Sequence, residues 1–99
     1  MKRTALLLAS LALTTGAVAS EELAQANNCL ACHKIDSQLV GPSYQDVAAK
    51  YKDQDGAAEL LFESVKNGSS GTWGSIPMPP NAAVSDDDIH ALVAWILAM

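Results

Sequence analysis

The chain has 99 residues, 49% of them hydrophobic, and a formal net charge of −5. A chain of this length is expected to form one domain. Its acidic balance argues against a nucleic-acid partner, because that affinity rests on Lys and Arg at phosphates.

Lys2 and Arg3 open the sequence as a positive region, and Thr4 to Gly16 is a run of apolar and small residues. Ala17-Val18-Ala19 follows as an A-x-A cleavage signal ahead of Ser20-Glu21. Residues 1–19 therefore read as a cleaved secretory signal peptide, with residues 20–99 as the mature domain. The apolar run is shorter than the roughly 20 residues that a membrane span requires, so no stable membrane insertion is expected. Cleavage after Ala19 leaves 80 residues with four Lys, no Arg and eleven Asp plus Glu, a net charge of −7. A core that small is marginal without a staple. So acidic a surface points to a partner with a basic docking face.

Leu23, Ala26 and Leu30 have helical spacing, which predicts a short helix from about Glu21 into the segment Cys29-Leu30-Ala31-Cys32-His33. That segment is a C-x-x-C-H run, the pattern of c-type haem attachment. Two thiols three positions apart can each form a thioether to one vinyl group on a porphyrin edge. The histidine that follows is then held under the iron as its proximal ligand. A thioredoxin-like redox pair would expect a βαβ context, and no segment here alternates with period two. A structural zinc site needs four Cys or His ligands, and beyond Cys29, Cys32 and His33 only His90 remains. One covalently attached haem c is the expectation. Its large apolar surface would be the staple that the small core lacks.

Tyr44, Val47, Ala48 and Tyr51 predict a second helix, and Ala57, Leu60, Leu61 and Val65 a third that stops at Asn67-Gly68. Residues 68–81 hold three Gly, three Ser and three Pro and cannot continue a helix. Because this stretch carries Trp73, Ile76 and Met78, it reads as an ordered, functional loop. The last helix has the clearest stripe, Ile89, Leu92, Val93, Ile96 and Leu97. Ser85 is its N-cap, Asp88 follows as a weak capping box, and Asp86 to Asp88 suit the positive end of the helix dipole.

A low-spin haem in an electron carrier needs a sixth ligand. Met1 leaves with the signal peptide and Met99 is the last residue, which makes Met78 the one internal methionine. Pro77 and Pro79 restrict the backbone on both sides of it and lower the entropy cost of holding a thioether at the iron. A Met/His pair is known in cytochromes c. The bland role for a lone Met is filling a gap in the core. His90, beside three Asp on the last helix, reads as a solvated residue and only a minor alternative ligand.

These motifs, together with Val40-Gly41-Pro42-Ser43-Tyr44, Lys66-Asn67-Gly68-Ser69, Trp73-Gly74-Ser75-Ile76-Pro77-Met78-Pro79-Pro80-Asn81 and Ala94-Trp95, resemble the class I bacterial monohaem cytochromes c. The resemblance is closest to the short periplasmic type that donates electrons to nitrite reductases and oxidases. It implies an all-α class I cytochrome c fold, about four short helices wrapped around one covalently bound haem. It also implies site roles: His33 and Met78 on the iron, and Cys29 and Cys32 on the porphyrin. Pro42 would accept the His33 Nδ1–H, Trp73 would donate to a haem propionate, and Asn81 would contact the ligand sulfur. Trp95 reads as core packing. Two positions depart from the pattern. Relatives often carry an arginine near Ser64 that neutralises a propionate, which leaves the propionates to Trp73 and a lysine such as Lys66. Ala24 stands where relatives have a larger apolar residue, so the first helix is expected to pack differently.

The function implied is that of a periplasmic one-electron carrier, not an enzyme. Its haem iron would alternate between Fe(II) and Fe(III) with both axial ligands retained. Its expected partners are a periplasmic reductase or terminal oxidase and an upstream quinol-oxidising cytochrome complex, and the carrier is expected to be a monomer. Three rivals have distinct signatures. A haem enzyme or gas sensor would have a displaceable Met ligand, a thiol–disulfide oxidoreductase would keep its cysteines free, and a haem module would sit tightly bound in a larger complex.

Overall fold

The computed structural model describes residues 16–99. The backbone forms four α-helices, α1 Gly16–Ala26, α2 Tyr44–Tyr51, α3 Ala57–Asn67 and α4 Asp86–Leu97, with a 3₁₀ turn at Cys29–Ala31. The chain is all-α as expected. The extended pairing among the described residues is an isolated antiparallel bridge between Ser69 and Met78. Most of the expected signal segment, residues 1–19, lies outside the described residues.

The last helix is the centre of the fold, and α1, α2 and α3 all pack on it. Its stripe is the reason: Ile89 is fully buried, and Leu92, Val93 and Ile96 join it in the core. Each such side chain taken out of water contributes about 1.5–3 kcal/mol. The helix starts where Ser85 Oγ accepts the Asp88 N–H at 3.2 Å, the N-cap half of the anticipated capping box. The second helix starts in the same way, with the buried Ser43 Oγ accepting the Asp46 N–H at 3.0 Å. Each hydroxyl satisfies one of the first-turn N–H groups that have no partner inside the helix.

The first helix ends before the cysteines rather than running into them. Asn27 directs both its backbone N–H (3.1 Å) and its side-chain Nδ2 (2.9 Å) at the Leu23 carbonyl. Asn28 then turns left-handed with φ 63°, a conformation Asn adopts more readily than most residues. The cysteine segment continues as a tighter 3₁₀ turn. Ala24 of this helix is completely buried, and α1 packs on α4. On α3, Ala57 and Leu61 are buried while Leu60 is 46% exposed. The buried row runs through positions four apart, and Leu60 falls off it toward solvent.

Candidate functional site

His33 is positioned by a fold-back of the chain that follows it. Tyr44 N–H donates to the Lys34 carbonyl at 2.8 Å and Gln45 N–H to the Ile35 carbonyl at 3.0 Å. The Gly41 N–H reaches the Cys32 carbonyl at 2.8 Å. These bonds bring Pro42 beside His33, whose Nδ1 lies 2.7 Å from the Pro42 carbonyl oxygen. A carbonyl can only accept, so Nδ1 carries the proton and the Nε2 lone pair is left for a metal.

Two further residues shape this corner, and sequence reasoning had given neither a role there. A Cβ on Gly41 would lie 2.8 Å from His33 Cε1, so only glycine lets the backbone pass so close to the imidazole. The Gly41-Pro42 dipeptide was the available signal. The buried Tyr44 ring stacks on the His33 imidazole, with centroids 5.0 Å apart and 19° between planes. Tyr44 had been read only as a core position of α2. Burial, and the neighbouring Cys29, push its phenol well above the usual range.

Cys29 and Cys32 are both half-buried. Within their turn, the N–H groups of Cys32 and His33 both donate to the Cys29 carbonyl, at 3.1 and 3.0 Å. Burial pushes the Cys29 thiol up, partly offset by hydrogen bonding to Tyr44.

Met78 is held by the bridge. Its N–H donates to Ser69 O at 2.8 Å and its carbonyl accepts from Ser69 N–H at 3.0 Å. Asn81 fastens the end of the same loop to α3. Its backbone N–H reaches Val65 O at 2.9 Å, and its Nδ2 donates to Val65 O at 3.2 Å and to Pro79 O at 3.3 Å. The Asn81 amide thus gives both its donors to backbone carbonyls and ties the loop to the last turn of the helix, rather than facing the cleft as the resemblance implies.

Cys29, His33, Pro42, Trp73 and Met78 all line one cleft of about 220 Å³. Its walls are otherwise mainly apolar, formed by Val47, Leu61, Val65, Leu92, Val93 and Ile96 from three helices. At its mouth Ile76 is 65% exposed, Val40 49% and Trp73 42%. Large side chains standing this free of protein need another apolar body to cover them. A flat macrocycle bonded to the cysteine turn, with iron between an imidazole nitrogen and a thioether, fits this donor set and these walls.

Other side chains are placed elsewhere. Lys66 does not line the cleft, contrary to its expected role at a propionate. Asp86, the first residue of α4, takes its ammonium at 2.9 Å, and the Val84 and Ala82 carbonyls accept from it at 3.2 and 3.5 Å. The lysine beside Trp73 is Lys50, its Nζ 5.7 Å from the indole ring. Trp95 packs edge-on against Tyr44 at 5.5 Å, a core role as expected. His90 is exposed as anticipated, and it also stacks on Phe62 of α3 at 4.6 Å.

The family model described as Cytochrome c matches residues 17–99. The chain is 53% identical over 92 residues to cytochrome c-552 of Nitrosomonas europaea, covering 92% of this chain and 89% of that one. It is 54% identical over 78 residues to cytochrome c-551 of Pseudomonas aeruginosa, covering 79% and 74%. The crystal structure of the wild-type Nitrosomonas europaea cytochrome c552 superposes with a TM-score of 0.77 at 55% identity, over 79% of this chain and 96% of that one. Family model, relatives and fold agree that this chain belongs to the cytochrome c family, as a class I monohaem bacterial cytochrome c of the electron-transfer type with one covalently attached haem c.

Proposed function

We propose that the chain is a one-electron carrier in which His33 and Met78 are the two axial ligands and stay bound in both oxidation states. The observation that carries this reading is that both side chains line one apolar cleft, with His33 Nδ1 committed to Pro42 and Nε2 free. The bound haem supplies the Fe(II)/Fe(III) couple. The chain supplies the rest. Cys29 and Cys32 form the thioether tethers. Pro42 fixes the imidazole ring and raises its basicity through the Nδ1–H bond. Trp73 donates to a haem carboxylate, and Asn81 steadies the thioether loop. A soft sulfur ligand and an apolar wall both favour the reduced form. With both ligands retained, little has to move when an electron enters or leaves, and no bond of a substrate is made or broken.

Residues 1–19 act in this reading as a cleaved signal peptide, which places the carrier in the periplasm. Its partners are other redox proteins: a reductase or terminal oxidase as acceptor, and a quinol-oxidising cytochrome complex as donor. Electrons cross at the cleft mouth, where Val40 and Ile76 are exposed. Residues 67–85 carry no charged side chain. This stretch of the docking face is neutral and apolar within an otherwise acidic molecule, with Lys50 beside it at Trp73. Such encounters are small and transient, and net charge steers them from a distance.

The test uses exported, purified protein. Its intact mass should exceed that of the mature polypeptide by one haem, with no thiol open to alkylation. Met78→Ala should abolish the red-region sulfur-to-iron charge-transfer band and lower the midpoint potential. An unchanged potential would refute ligation by Met78.

A further inference from the structure

The last turn of α3 closes on Gly68, at φ 82° and ψ 169°, a region essentially reserved for glycine. What occupies the space beside it is more telling than the dihedral. A Cβ built on Gly68 would lie 2.7 Å from the Met78 carbonyl oxygen and 3.1 Å from the Pro80 nitrogen. The same Met78 carbonyl accepts the Ser69 N–H, and the Met78 N–H returns to Ser69 O. The backbone of Met78 thus lies directly on the Gly68 α-carbon and is latched there by two hydrogen bonds. Gly56, ahead of α3, has a similar φ of 76° but nothing within 4 Å of its Cβ position. A close approach, and not only a turn, demands glycine at position 68.

We propose that Gly68 is a positioning residue for the Met78 thioether, an inference that rests on Met78 being an axial ligand. The loop seats on α3 at Gly68 without help from the iron. The sulfur is thereby presented in place, and less freedom is lost when it binds. A methyl group at position 68 would meet backbone and ring atoms, which have no flexible end to swing away. Relief would require the Met78 backbone to move, and the thioether would move with it.

The experiment titrates ferric, haem-loaded protein with imidazole, which competes with the thioether, and follows loss of the sulfur-to-iron band. Parent, Gly68→Ala, Gly56→Ala and Met78→Ala are compared, with denaturant unfolding of each recorded alongside. Gly56→Ala should need as much imidazole as the parent. Gly68→Ala should release the sulfur at about tenfold lower imidazole, toward the lower end of what overpacking costs. A purely structural role would shift unfolding and leave the imidazole titration in place. If the two glycine variants titrate alike, whether both shifted or both unshifted, Gly68 does not position the ligand. A Met78→Ala protein that keeps the band would sink the ligand assignment itself. Loss of the band in Met78→Ala with a parent-like Gly68→Ala would sink the positioning role alone. Where Gly68→Ala does not take up haem, amide exchange in Met78→Ala decides. The amides of Ser69 and position 78 should keep protection within about tenfold of the parent's. A larger loss would show that the iron–sulfur bond holds the loop, and would overturn the proposal.

Discussion

Two isoleucines show how differently the two parts of this molecule are stabilised. Ile89, in the middle of α4, is 0% exposed, while Ile76, at the cleft mouth, is 65% exposed. The side chains are chemically identical, so the contrast lies in what surrounds them. Ile89 is covered by protein, because three helices converge on α4. Ile76 belongs to the charge-free stretch of residues 67–85, which has hydrogen bonds at its ends but little protein over its apolar faces. The core around Ile89 is covered by the chain's own side chains. The loop and the cleft walls leave apolar surface for the haem to cover. The chain's carboxylates are distributed accordingly: Asp86, Asp87 and Asp88 begin immediately where the neutral stretch ends.

Four substitutions separate the two parts, in decreasing order of expected effect. Replacing both tethers, Cys29→Ser with Cys32→Ser, removes the covalent haem. The cleft walls and mouth then have nothing to pack on, and a domain with only about 5–15 kcal/mol of total stability should lose its fold. Intact mass and far-ultraviolet circular dichroism read this out, and a helical, haem-free product would show that the helices suffice alone. Ile89→Ala should destabilise by about 2–5 kcal/mol through the cavity left in the core. Denaturant unfolding measures it, and the midpoint potential should barely move. Ser85→Ala removes the N-cap acceptor of α4 and should cost about 1 kcal/mol, again without altering the sulfur-to-iron band. Ile76→Ser should change stability by less than about 0.5 kcal/mol, as exposed positions do. It should nevertheless slow bimolecular electron exchange with a redox partner in stopped-flow measurements. Exchange at the parent rate would remove Ile76 from the docking face.

The helices were legible to very different degrees. For α2, α3 and α4, apolar spacing and cap residues predicted elements that the structure contains. Tyr44 to Tyr51 and the stop at Asn67-Gly68 are matched directly. These signals are local, carried by residues within one or two turns. The first helix was misjudged at its end, because Leu30 continues the period while Asn27 and Asn28 break the backbone. Lys66 was misread for a related reason. Sequence spacing does not reveal that Asp86, 20 positions later, will capture its ammonium. The roles of Gly41 and Gly68 were equally out of reach, since each depends on which atom a missing Cβ would strike.

From its own residues, the sequence determined the attachment chemistry, the helical class and the short set of groups able to bind iron. Thioether formation, helical periodicity and donor identity all depend on residue type and near spacing. The tertiary structure decided how those groups are aimed: Pro42 at the imidazole, the Met78 backbone against Gly68, and apolar side chains left standing around one cleft. Aim is a property of contacts between distant segments, and those exist only once the chain has closed on itself.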